Sequence, residues 1–251
     1  MFRNVLKIEP SSFITDIVKY DYRTADIFRK YDIDFCCGGK WPLEMICQNK
    51  NLETDDVVKE LQNVVIQTAS NAALDFDSWD VDFLADYILN VHHRYVSKAL
   101  PEINEQTTKF LDGHRKKFPE LEEVEIIVKK FLREIPPHMK QEEEIFFPYI
   151  KQIFYAYKNK ESYARLLIRT LRKPLEEVML KEHETTGANL HRLRTITNNY
   201  TPPENACLSH KVTFSKLKEL DNDLVQHIHL ESNILFPKAI AMEQELLKEN
   251  N

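Results

Sequence analysis

Two segments of this 251-residue chain pair a histidine with a glutamate four residues later and then close on Phe-Pro: HMKQEEEIFFP at 138–148 and HIHLESNILFP at 227–237. They agree at five of eleven positions, both the His/Glu pair and the closing Phe-Pro included. Nine histidines and 25 glutamates would yield about one His-x-x-x-Glu by chance, so two copies alone say little. The register says more. His138 and His227 are 89 residues apart, while His93 and His183, each without such a glutamate, are 90 apart; the His93–His138 and His183–His227 separations are 45 and 44. The chain reads as a duplicated pair of helices, each pair carrying one lone histidine and one His/Glu pair.

Residues four apart on a helix face the same way, so each pair offers a nitrogen and an oxygen donor to a common point. These donors interrupt apolar stripes. Leu217, Leu220 and Leu224 continue into His227, Glu231 and Ile234, and Ile127 and Phe131 continue through Glu134, His138, Glu142 and Ile145. His183 shares a stripe with Leu190, and His93 with Val96 and Leu100. Burying four imidazoles and two carboxylates costs on the order of several kcal/mol per uncompensated group, and metal ions are the natural partners. If Glu142 and Glu231 both bridge, each of two metals receives two nitrogens and two oxygens; an oxo or hydroxo bridge adds a fifth ligand and leaves one position open. Nitrogen and oxygen donors without thiolate suit iron or manganese better than structural zinc. The expected cofactor is two non-haem iron ions. Taken singly, each histidine fits a core imidazole bonded to a carbonyl or an acid better than a ligand; it is the duplicated set of six that reverses the reading.

Among the other histidines, His92 rivals His93, but only His93 keeps the 90-residue offset; His114, His191, His210 and His229 read as surface residues. Glu134 and Glu182 form a second tier of carboxylates that could balance charge, orient ligands or line a path, or could be solvated helix charge. Pro136-Pro137 is expected to kink or restart the helix just before His138.

The elements that must position these groups are helices. Only 4 glycines occur, where average usage of ~7% would give roughly 18, and sheet folds need them at turns and bulges. Four long periodic stretches, beginning near Trp79, Leu121, Pro174 and Cys207, predict an all-α, up-down-up-down four-helix bundle over 76–251. A small helical domain over 1–75 precedes it, with N-caps offered at Thr15-Asp16 and Thr54-Asp55-Asp56, another helix opening at Trp41-Pro42, and a linker over 69–77. Residues 155–172 have no evident place in this scheme. A net charge of −6 without a long basic block argues against nucleic acid, and no run of eighteen apolar residues suggests a membrane span. Four cysteines and no secretion-type N-terminus point to a reducing cytoplasm. Cys36-Cys37, beside Gly38-Gly39-Lys40, reads as an exposed reactive pair; Cys47 and Cys207 read as buried apolar residues.

This constellation, with Tyr31-Asp32-Ile33-Asp34-Phe35-Cys36-Cys37-Gly38-Gly39-Lys40 and Thr197-Asn198-Asn199-Tyr200-Thr201-Pro202-Pro203, closely resembles the bacterial iron–sulfur cluster repair di-iron proteins, the RIC family, over nearly the whole chain. The resemblance implies a haemerythrin-like bundle whose iron ligands fall on His93, His138, Glu142, His183, His227 and Glu231, with further carboxylates at Glu134 and Glu182. It implies restoration of clusters damaged by nitric oxide or peroxide, with damaged iron–sulfur proteins as partners and Cys36/Cys37 passing iron, nitrosyl-iron or electrons; a repair factor or iron donor fits better than a turnover enzyme. Whether the cysteine module pairs within one chain or across a homodimer is left open. A haemerythrin-type oxygen or redox sensor is the competing reading. Oxygen carriers of that type use a fifth histidine four residues after the third helix's ligand, where this chain has Gly187. A metal-free helical interaction module is the third.

Overall fold

The computed structural model describes residues 6–21, 23–35, 41–67, 74–171 and 175–248, without the side chains of 66, 67, 170, 171 and 175–180. Among the described residues every named element is helical, and the one extended pairing is a single bridge between Phe13 and Pro42. The chain divides into two compact units: Met1–Asp80 together with His229–Pro237, and Val81–Ile228 together with Lys238–Asn251.

The first unit contains α1 (Ile14–Tyr20), α2 (Thr24–Lys30), α3 (Leu43–Asn49) and α4 (Thr54–Gln67). Ile14, Ile17, Phe28, Leu43, Cys47 and Leu61 are fully buried and form its core. Thr15 and Asp16, expected at a cap, instead lie in the first turn of α1, whose N-cap is Phe13; there Asp16 complements the helix dipole. The α3 helix opens directly after Pro42, and Leu43 N–H donates to Ser12 O at 2.9 Å, tying its start to the segment before α1. Of the expected linker, residues 69–73 lie outside the described residues. Phe76–Ser78 form one 3-10 turn with Phe76 buried against Trp79.

The second unit supplies the bundle. Its rods are α5 (Val81–Tyr87) continuing into α6 (Arg94–His114), α7 (Glu122–Gln141) into α8 (Phe147–Lys158), α10 (Leu175–Ile196), and α11 (Leu208–Leu230), followed after the Glu231–Leu235 turn by α12 (Phe236–Lys248). The segment that had no place in the sequence scheme ends α8 and then forms α9 (Ala164–Leu171), which packs on α8 through buried Ala164 and Ile168.

Pro136 and Pro137 do not interrupt α7, contrary to expectation; the helix runs through both. Both rings are exposed while Ile135 and Met139 are buried. The carbonyls of Leu132 and Arg133, deprived of their amide partners, therefore lie on the outer side of the helix, where water can take them up. Ile145, expected on the apolar stripe, is exposed.

The Thr197–Pro203 motif is a chain reversal. Asn198, Asn199 and Tyr200 have φ of 47°, 53° and 58°, three successive left-handed residues that cost roughly 1–2 kcal/mol each for side chains bearing a Cβ. The turn is held by Thr197, whose Oγ1 donates to Leu193 O at 2.7 Å and accepts from Tyr200 N–H at 3.0 Å. Beside it Arg194 grips the buried Asp221 with two parallel bonds of 2.7 and 2.5 Å, joining α10 to α11. No described helix is long and apolar enough to cross a membrane.

Candidate metal centre

Three of the rods leave α-helical geometry for a single π-helical turn, and each turn begins or ends at one of the singled-out residues: Ile88–His93, Glu142–Phe146 and Glu231–Leu235. For two of them the repeated Phe-Pro explains the turn. Pro148 and Pro237 have no N–H, and their rings would clash with the carbonyls of Glu144 and Asn233 four residues back. Widening the turn immediately before them relieves the clash without breaking the rod. The wide turn then leaves Glu142 and Glu231 on the inner face; both are completely buried.

Among the described residues two groups of four place ligand atoms within 4.8 Å of one another: His93, Glu142, His227 and Glu231, and His138, Glu142, His183 and Glu231. His93 Nε2 lies 3.1 Å from His227 Nε2 and 3.5 Å from Glu142 Oε2. His138 Nε2 lies 3.2 Å from His183 Nε2 and 3.3 Å from Glu142 Oε1, and His183 Nε2 lies 4.0 Å from the same oxygen. His93, His183 and His227 are buried; His138 is half-buried.

The outer ring nitrogens fix the tautomers. His93 Nδ1–H donates to Glu143 at 2.8 Å and His138 Nδ1–H to Glu182 at 2.5 Å. A carboxylate only accepts, so both Nε2 atoms carry lone pairs and face their histidine neighbours across the core. Two such nitrogens about 3 Å apart suit cis positions around a cation with ligand distances of ~2.1 Å. Neither oxygen of Glu142 has a hydrogen-bond donor, although the residue is 0% exposed. A buried carboxylate in that state costs on the order of several kcal/mol unless a cation satisfies it. The donor set therefore fits a metal pair.

The remaining expected residues fall as follows. Glu182 reaches His138 from α10, whereas Glu134 is exposed and pairs with its neighbour Arg133 at 2.9 Å, away from the cluster. Glu143 holds His93 in the way Glu182 holds His138, and nothing in the spacing marks it out from Glu144. His92 is buried as well, bonded through Nδ1 to Asp223 at 2.9 Å and stacked on the His227 ring at 5.7 Å. Cys36 and Cys37 lie outside the described residues. Phe35, immediately before them, is buried edge-on against His229.

Two histidines expected at the surface, His210 and His229, are buried. Burial pushes His229 down to about 3, leaving it a neutral imidazole that accepts from Asn233 Nδ2 through Nδ1. Cys47 is buried as expected, and burial raises its thiol; Cys207 is exposed.

The bundle and its His/Glu core define a haemerythrin-type cation-binding protein. Residues 84–239 match the Hemerythrin HHE cation binding domain, and residues 11–65 match ScdA_N, a domain of unknown function. The chain is 36% identical over 218 residues, 85% of itself and 90% of the relative, to a Haemophilus influenzae protein named "Probable iron-sulfur cluster repair protein". It is 35% identical to the iron–sulfur cluster repair protein YtfE of Escherichia coli O81 and 34% identical to that of Escherichia fergusonii, in both cases over 88% of this chain and 93% of the relative. The chain belongs to the family of haemerythrin-type iron–sulfur cluster repair proteins.

Proposed function

We propose that this protein is a di-iron repair factor that restores damaged iron–sulfur clusters, with the damaged proteins as its partners. The observation that carries the reading is that the two groups of potential ligands share the same two carboxylates, Glu142 and Glu231. That sharing is what a bridged metal pair requires and what two independent mononuclear sites would not. His93 and His227 would hold one iron, His138 and His183 the other. The iron pair would supply exchangeable iron and a site for nitric oxide.

The chain's own groups prepare that role. Glu143 and Glu182 keep the Nε2 lone pairs of His93 and His138 turned inward. Position 187, one turn after His183, is glycine and supplies no further ligand, so one metal keeps a free position for a small molecule or for release. In this reading Cys36 and Cys37 pass iron or electrons to the client and Glu182 lies on the ion's route; the cytoplasm, where clusters are assembled, is the place of action.

The test is recovery of a nitrosylated iron–sulfur enzyme by the iron-loaded protein, alongside metal analysis. About two irons per chain and recovery that fails in His227→Leu are expected. Fewer than one iron per chain from iron-supplied cells, or full recovery with His227→Leu, would overturn the reading.

A further inference from the structure

His114 ends α6 and Cys207 stands immediately before α11, within the bundle unit and separate in function from the histidines described above. The Cys207 carbonyl accepts the first intrahelical bond, from Lys211 N–H at 3.2 Å, which makes Cys207 the N-cap. Its Sγ is 3.4 Å from His114 Nε2. His114 Nδ1 is 2.8 Å from Phe110 O, and since a carbonyl only accepts, Nδ1 carries the proton and Nε2 offers its lone pair to the thiol. The imidazole lies between the rings of Phe110 and Phe118, stacked on them at 4.8 and 6.4 Å.

The helix ends add to this. An imidazolium at the C-terminus of α6 and a thiolate at the N-terminus of α11 each meet the favourable pole of a long helix. In the first turn of α11, His210 is buried against Phe214 and against Phe110 and Phe118, the two rings that also flank His114, with neither of its ring nitrogens hydrogen-bonded. Burial, with a smaller contribution from His114, pushes His210 down; Lys117 and Glu120 are the other charged groups acting on it. His114, whose Nε2 faces the thiol, is the base.

We propose that Cys207 and His114 form a thiol–imidazole dyad that captures small-molecule disulfides. The Cys207 thiol passes its proton to His114 Nε2 and attacks one sulfur of the incoming disulfide. A new S–S bond forms as the old one breaks, the other half leaves as a thiolate, and it recovers the proton from the imidazolium. Cys207 is oxidised to a mixed disulfide and the departing half is reduced. The exposed sulfur and the base oriented by Phe110 O are the parts such a step needs.

The experiment treats the full iron-loaded chain with the uncharged disulfide dithiodipyridine across a pH series and follows the Cys207 peptide by mass spectrometry, so that other thiols do not interfere. At the neutral points of the series the wild type should react about tenfold faster than N-acetylcysteine, whereas a folded His114→Gln protein should react no faster than that free thiol. Oxidised glutathione should leave the same adduct. Wild-type reaction no faster than that of N-acetylcysteine overturns the proposal without reference to any variant, as does equal reaction in a folded His114→Gln protein.

Discussion

The two halves of the proposed centre arise from one duplicated pattern, yet they meet water differently. His93 is 1% exposed and its ring stacks on Phe147, whereas the His138 side chain is 12% exposed and its carboxylate partner Glu182 is half in solvent. The donors are chemically alike, two imidazoles and two shared carboxylates in each half. Their neighbours are not. His93 sits at the end of a π-helical turn that begins on the buried Ile88; His138 directly follows the exposed Pro136–Pro137 pair. Duplication repeats ligand identity; the surroundings set access. In the proposed di-iron reading, the His138/His183 half would be the side from which iron leaves and at which small ligands arrive.

The largest effect should come from erasing what the halves share. Glu142→Ala should reduce bound iron from about two per chain to near zero, because both groups lose an oxygen at once, while His138→Ala should retain about one. Metal analysis after gel filtration reads both. If Glu142→Ala still carried a full complement, the shared-carboxylate geometry would be wrong.

A sharper cut separates the halves through their outer carboxylates. Removing a group that orients a metal-bound histidine typically weakens the metal by about 10–100-fold. Glu182→Gln should therefore release one iron to a chelator about tenfold faster than wild type. Glu143→Gln should release more slowly than Glu182→Gln, since the histidine it orients is closed from solvent. Stopped-flow chelation orders the two, and the reverse order would place the exit on the other side.

Much of this was legible in the residues. The 44/45 and 89/90 spacings locate the histidines because a bundle rod repeats at fixed length, and glycine scarcity with 3.6-residue periodicity leaves helices as the only economical fold. Other features depend on the third dimension. Glu134 and Glu143 both lie within five residues of His138, but the side each faces is decided by α7 running straight through two prolines and by the π turn before Pro148. No i/i+4 count predicts either. His210 and His229 look like surface histidines because their stripes are mixed; they are buried by aromatic neighbours that come from other elements, Phe110 and Phe118 in one case and Phe35 in the other. The exposure of Cys207 follows from its place at a helix start, one residue outside the periodic stretch.

Perturbations of the shared scaffold should change stability without splitting the halves. Glu125 is buried and accepts from Lys129 at 2.7 Å, Arg115 at 3.1 Å and Thr108 at 3.1 Å, joining α6 to α7. The Lys129 hydrogen bond, seconded by Arg115 and Thr108, holds its carboxyl below the ordinary 4.5 against the opposing effect of burial. The folded state thus binds this proton less readily than the unfolded chain. The resulting stability is complete above about pH 4.5 and drains away as pH falls through the lower folded value. Urea denaturation should show Glu125→Gln less stable than wild type at pH 7, with the gap narrowing below about pH 4; a gap that stays constant in acid would mean the charge of Glu125 contributes nothing.

The smallest expected effect tests the chain reversal that returns the third rod to the fourth. Asn199 is the middle of three left-handed residues, is exposed, and its backbone amide helps close the turn, donating to Arg194 O at 2.7 Å. Glycine keeps that amide and reaches the same φ without a Cβ penalty, but it also gives the unfolded chain more freedom, so the two contributions partly cancel. Asn199→Gly should stabilise the protein by about 0.5–1 kcal/mol, with chelation rates unchanged in both halves. Destabilisation would show that the Asn199 side chain, and not only its backbone, holds the turn; a changed chelation rate would mean that strain in this reversal is transmitted along α10 to His183.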